Sequence, residues 1–270
     1  MIMNAIEQQL AASPRNHRYY ATIIVIVAAL FVWSLTAVNF GDIEQSGLLI
    51  AKHMIYGLTH PDLDLLFNTT RQSVLYLLLE TAAIAFQGTL VGAVLAVPLA
   101  FLAASNLVPK PIAWLTRFAL IIIRTIPALV YGLIFIRVTG PGPFAGVLTV
   151  GLTSIGMLAK LYVDAIEELD TRVLESMESV GCTTFEKIRF GIVPQLMSIF
   201  TSIMIYRFDM NMREASILGL VGAGGIGAPL IFAMRGYKWD EAGSILIGLV
   251  ALILIIELVS NKLRSKLVRG

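Results

Sequence analysis

Six stretches of this chain are dominated by apolar residues, and the polar residues collect between them: 20–40, 74–104, 112–138, 143–165, 192–220 and 242–259. A helix needs roughly 20 such residues to cross the core of a bilayer. The pattern therefore predicts an all-α membrane protein with about six transmembrane helices. Arg15 and Arg18 precede the first stretch as they would a signal peptide. Its apolar run is too long for one, and no small-x-small cleavage site follows cleanly, so it is expected to remain as an anchor helix.

Two gaps are long enough to hold structure. In the first, residues 41–73, Leu48, Leu49, Ala51, Met54, Ile55 and Leu58 make an apolar stripe at helical spacing, which predicts an interfacial helix on the outer leaflet. Pro61, Asp62, Leu63 and Asp64 after it read as a turn with solvated acids. The second gap, residues 166–195, puts Val173, Leu174, Met177 and Val180 on one helical face, with Arg172, Glu175 and Glu178 off it. Gly181 can stop that helix in a left-handed conformation. Thr183 and Glu186 have the spacing of a capping box that starts a second helix through Phe190, and Pro194 stands where the next span begins. Two domains follow from this division: 1–72, an anchor helix with an external segment, and 73–270, the transmembrane domain containing loop 166–195.

Composition agrees with the pattern. Hydrophobic residues make up 57% of the chain and charged residues 14%, against about 25% charged in a soluble domain. One cysteine, Cys182, excludes an internal disulfide, and His17, His53 and His60 share no ligand spacing, so no metal is expected. A net charge of +2 is too small to suggest nucleic acid. The placement of basic residues is more telling. With the N-terminus inside, Arg15, Arg18, Lys110, Arg117, Arg172, Lys187, Arg189, Lys262, Arg264, Lys266 and Arg269 fall on the cytoplasmic side. Lys52, Arg71, Arg137, Arg235 and Lys238 remain outside. The positive-inside rule thus puts both termini in the cytoplasm.

Ionisable residues within spans are costly, so they mark candidate function. Glu80 lies in the second span and Arg124 in the third, where snorkelling toward the headgroups would explain Arg124 almost as well. The fifth span carries Arg207, Asp209, Asn211, Arg213 and Glu214. At 100° per residue, Arg207, Asn211 and Glu214 share one face, suited to a polar path for an anion. Asp209 and Arg213 share the other face as an i, i+4 pair. An alternative stays open in which all these charges only staple the bundle. Residues 222–227 spell G-x-G-x-x-G, a dinucleotide fingerprint only when it follows a strand and opens a helix. Here it follows a charged span. Gly222, Gly224, Gly225 and Gly227 are expected to form a tight re-entrant turn near the outer mouth, whose N–H groups are available to a passing anion.

The spacing of Glu175, Gly181 and Pro194 resembles the E-A-A…G…I-x-L-P loop of ABC importer permeases, with Ser176-Met177 for Ala-Ala and Val193 for Leu. Tyr206, Arg207, Phe208, Asp209, Asn211, Arg213, Val221 to Gly227, and Arg235-Gly236-Tyr237 resemble the phosphonate importer permeases more closely. Gly140, Gly142, Pro143, Phe144, Ala145, Gly146 and Val147 do so too. The resemblance implies a type I ABC importer permease fold with a cytoplasmic coupling helix, in a bacterial inner membrane. Its partners would be a second copy of the chain, two ABC ATPase subunits and an external binding protein delivering phosphonate or a related phosphorus oxyanion. Glu175, Glu178, Gly181, Thr183, Phe185, Ile188 and Pro194 would meet the ATPase. The chain contains no G-x-x-x-x-G-K-[ST] loop, so ATP and Mg would sit on those partners and the permease itself would not be an enzyme. Rival readings are the same architecture with another solute, or a proton-coupled secondary transporter using Glu80, Asp209 and Glu214.

Overall fold

The computed structural model describes residues 17–37, 46–67, 70, 73–169 and 171–269. Arg15, Phe40, Arg71 and the expected boundary at residue 72 lie outside them, as do the side chains of Leu48, Val173, Leu174 and Arg269. Every regular element among the described residues is a helix. Contacts group the chain into two units, Met1–Ala51 and Lys52–Gly270. In the first, α1 (His17–Ala37) is apolar on all sides, and its described side chains are exposed, as suits contact with lipid.

Helix α2 (Ser46–Thr59) belongs to the second unit from Lys52 onward. Its backbone at Gly57 comes so close to Gly243 that a Cβ on Gly243 would lie 2.4 Å from the Gly57 carbonyl oxygen. The expected interfacial helix is therefore pinned to the start of the last span, while Ile55 still faces outward. Asp62 accepts hydrogen bonds from the amides of Asp64 (2.9 Å) and Leu65 (3.2 Å), capping the short α3 (Leu63–Phe67). It is an N-cap more than a solvated acid.

The body of the protein is built on α4 (Val74–Ala103) and α7 (Pro143–Glu167). Gly88, Gly92, Ala96 and Ala100 recur every four residues along α4, and all are buried. A Cβ on Gly88 would stand 2.6 Å from the Val150 side chain, and one on Gly92 2.6 Å from that of Ser154. Small residues let the two backbones approach, which is how helices associate where lipid removes the hydrophobic drive. Tyr162 stacks on Phe200 at 4.1 Å, continuing this core into the fifth span.

The third expected span departs from the sequence reading. It is two helices, α5 (Lys110–Thr125) and α6 (Ala128–Thr139), bent by 83° at Ile126 and Pro127. Pro127 does more than kink a helix: without an N–H and with the residue before it forced out of the helical region, it ends one helix and starts another. Among the described residues, five helices are long and apolar enough to cross a membrane, or six if this bent pair counts as one.

After the turn at Gly181, a helical turn α9 (Thr184–Glu186) runs through a π-helical segment, Lys187–Ile192, into α10 (Val193–Leu220). Instead of a separate second helix through Phe190, the chain is helical without a break. Pro194 cannot donate to the carbonyl four residues back, and the widened turn just before it absorbs that defect. Beyond the glycine loop come the short α11 (Gly227–Arg235) and the long α12 (Trp239–Arg269).

Candidate translocation cavity, glycine loop and elbow

Counting from Val193 at 1.5 Å per residue, Arg207 lies about 20 Å along α10, too far to snorkel to the headgroups at that end of a membrane core about 30 Å thick. Its side chain is almost fully buried. The guanidinium pairs with both carboxylate oxygens of Glu214, at 3.2 and 3.0 Å, and donates to the Ser154 and Thr153 hydroxyls of α7 at 3.2 and 3.4 Å. Such a fork-to-carboxylate pair is stronger and more directional than a neutral hydrogen bond. Arg207 is thus held in place and nearly neutralised.

This pair forms one wall of a cavity of about 270 Å³, whose lining includes Thr153 and Met157 of α7, and Arg124 and Pro127 at the break between α5 and α6. Arg124 lines the same cavity from α5. Its stem lies in the notch of Gly156, where a Cβ would sit 2.6 Å from the Arg124 Cγ. Among the described residues, Arg124 has no ion-pair partner. Two guanidiniums and one carboxylate leave the lining with a net positive charge, and the exposed Arg124 supplies it. The arrangement can hold a small anion with some of its water.

Not all the charges of α10 converge here. Asn211 is fully buried and donates to Thr89 of α4 (2.7 Å) and Ser154 of α7 (2.8 Å). It stitches three helices together and lies outside the cavity lining. Arg213 bonds Asp209 at 3.2 Å, the i, i+4 pair the spacing suggests, and also Glu257 of α12 at 3.3 Å. Those three groups lie outside the cavity lining. Thr153 was not among the sequence candidates, although it falls at helical spacing from Met157 and Lys160.

Glu80 lies elsewhere again, at the glycine loop. Gly222, Gly224 and Gly225 all have positive φ (+99°, +83° and +73°), a region open to glycine at little cost. The loop sits on the start of α7: Gly142 donates to the Gly222 carbonyl at 2.9 Å, and a Cβ on Gly146 would come 2.4 Å from the Ala223 oxygen. From α4, Glu80 accepts from the Gly225 amide (3.1 Å) and Thr81 from the Ile226 amide (2.9 Å). These two donors are therefore occupied by the protein itself, not left for a passing anion. A Cβ on Gly225 would stand 2.4 Å from the Thr81 hydroxyl oxygen. Gly225→Val is accordingly expected to destabilise the fold by about 2–6 kcal/mol, the sum of left-handed strain and overpacking. Denaturant unfolding in detergent, compared with an exposed glycine such as Gly47, measures this.

At the other end lies the elbow. Helix α8 (Thr171–Ser179) stops at Gly181, whose φ is +88°. The capping box forms: the Thr183 amide and hydroxyl both donate to Glu186 at 2.7 Å, and the Glu186 amide donates back to Thr183 at 3.4 Å. Accepting from the Thr183 backbone, then from its hydroxyl, holds the Glu186 carboxyl below the usual carboxylate range. Lys187 bonds Glu178 at 3.0 Å, and Met177 presses on Gly191, so the two limbs are clipped together. Val180, Phe185 and Phe190 remain exposed on this clip, while Ile188 turns inward. Exposed apolar side chains grouped on a polar segment mark a protein contact.

Residues 96–269 match the family model described as binding-protein-dependent transport system inner membrane component. A phosphate-import permease protein of Mycolicibacterium smegmatis is 37% identical over 70% of this chain, and the match spans 36% of that relative's own length. A phosphite transport system permease protein of Stutzerimonas stutzeri is 34% identical, covering 70% of this chain and 69% of the relative. Among solved structures, a methionine ABC transporter chain in an inward-facing conformation superposes with a TM-score of 0.61 at 21% identity, over 70% of this chain and 94% of the other. A chain from a bacterial alginate ABC importer gives 0.62 at 14% identity, over 92% and 96%.

Proposed function

Because the chain belongs to the inner membrane components of binding-protein-dependent transport systems, the permease subunits of type I ABC importers, we propose that it forms the pathway for a phosphorus oxyanion such as a phosphonate, phosphite or phosphate. The observation that carries this reading is Arg124, a cation without an ion-pair partner among the described residues, lining one cavity with the neutralised Arg207–Glu214 pair. A net positive site inside a low-dielectric bundle selects for anions. Relatives named for phosphate import and phosphite transport support the same chemical class.

In this reading the elbow faces the cytoplasm, as do both termini, and two copies of the chain carry two ATPase subunits that bind ATP and Mg. An external binding protein delivers the ion. Closure of the ATPase pair moves the elbow, and the rigid clip between Glu178 and Lys187 passes that motion into α10 through the π-helical segment. Arg207 and Glu214 ride on α10, so the cavity changes with it.

Proteoliposomes containing the permease, its ATPase and its binding protein provide the test. ATP-dependent uptake of phosphonate, phosphite or phosphate is expected. Uptake that persists without ATP and collapses with a proton uncoupler would establish a secondary transporter instead, and uptake confined to amino acids would overturn the oxyanion. Gly181→Pro breaks the positive φ of the elbow. It is expected to leave the permease folded while severing transport from ATP hydrolysis, read as the ratio of ions moved to ATP consumed.

A further inference from the structure

A second cavity, of about 220 Å³, lies on the elbow side of Arg124. Arg117, Leu120 and Arg124 of α5 face Lys160, Val163 and Asp164 of α7 across it. The residues that line the two cavities form continuous stripes. On α7, Thr153, Met157, Lys160 and Asp164 follow one another at helical spacing; on α5, Arg117 and Arg124 are two turns apart. Arg124 belongs to both linings. Its stem in the Gly156 notch places it between Thr153, on one side, and Lys160, about 10 Å further along α7 at 1.5 Å per residue.

The cations of the second cavity differ in how firmly they are held. Arg117 is committed, bonded to Glu167 and to the Ala103 carbonyl at 2.8 Å. Among the described residues, Lys160 pairs only with Asp164, at 3.2 Å along its own helix, with both side chains about half exposed. An exposed i, i+4 pair of this kind is weak, and an ammonium on a flexible stem changes partners readily. We propose that the groove between α5 and α7 is the anion's exit, with Lys160 as a second oxyanion subsite that receives the ion from Arg124. This rests on the oxyanion reading above and adds to it the direction and the residue of release. Passage then proceeds between cations that each hold the ion moderately, which avoids trapping it at one strong site.

The test compares uptake by reconstituted complexes carrying Lys160→Gln, Lys160→Arg or Asp164→Asn, with rates expressed per assembled complex. Lys160→Gln is expected to lower kcat about 5- to 10-fold with KM for the loaded binding protein unchanged. Lys160→Arg should stay within twofold of wild type, and Asp164→Asn, which frees the lysine, should be no slower than wild type. A wild-type rate per complex in Lys160→Gln overturns the exit subsite, even if fewer complexes assemble. An equal loss in Asp164→Asn also overturns it, because the pair then serves only as a helix brace. Absence of phosphorus oxyanion uptake by the wild-type complex would instead remove the oxyanion reading, and this subsite with it.

Discussion

Arg124→Gln is expected to reduce uptake about 10- to 100-fold, the 1.5–3 kcal/mol by which a hydrogen bond to a charged group contributes, while leaving the complex assembled. The side chain takes part in no ion pair among the described residues, so its removal strands no counter-charge. Glutamine keeps hydrogen-bonding capacity and roughly the volume that fills the Gly156 notch. What disappears is the charge that leaves the cavity net positive. Initial rates of oxyanion uptake, with ATPase activity and complex yield as controls, measure the loss. Wild-type uptake in Arg124→Gln would mean that this arginine serves only to meet headgroups.

Arg207→Ala should fail in a different way. The guanidinium is almost fully buried and fills both oxygens of Glu214. Deleting one partner of such a pair leaves an uncompensated charge and costs about 3–5 kcal/mol, so loss of stable protein is the expected first effect. The informative variant is the double one, Arg207→Met with Glu214→Gln, which removes both charges and restores assembly. If the pair also acts in transport, the assembled double variant should still move ions at least about 10-fold more slowly, a loss of about 1.4 kcal/mol in transition-state stabilisation. Near-normal turnover per assembled complex would identify the pair as a staple. The comparison separates the two readings that spacing along α10 leaves open.

Much of the fold was legible because it depends on neighbours along the chain. Apolar runs set against bilayer thickness mark the spans. Gly181 and the Thr183–Glu186 capping box mark the elbow, and the i, i+4 spacing of Asp209 and Arg213 gives a pair that forms. Pro127 is as visible in the sequence, but a kink in a transmembrane helix and an 83° break between two helices have the same local signature. What separates them is the packing of α6 on α7, which sequence spacing does not contain. Lys160 and Asp164 fall inside the expected fourth span, where a lone i, i+4 pair has the pattern of an ordinary helix brace.

The division between the two kinds of information is clearest around the glycines and arginines. From the sequence alone come the membrane setting, the helical class, the elbow and an inventory of intramembrane charge. These rest on hydrophobic periodicity and backbone stereochemistry, which act over a few residues. Only the tertiary structure decides that Glu80 and Thr81 fill the donors of Gly225 and Ile226, that Asn211 is a stitch between α4 and α7, and that Arg124 lines one cavity with Arg207. Each of those contacts joins residues far apart in the chain. The Asn211 stitch, for one, depends on the close approach of α4 and α7 at Gly88 and Gly92, a property of the packed bundle and of no single segment.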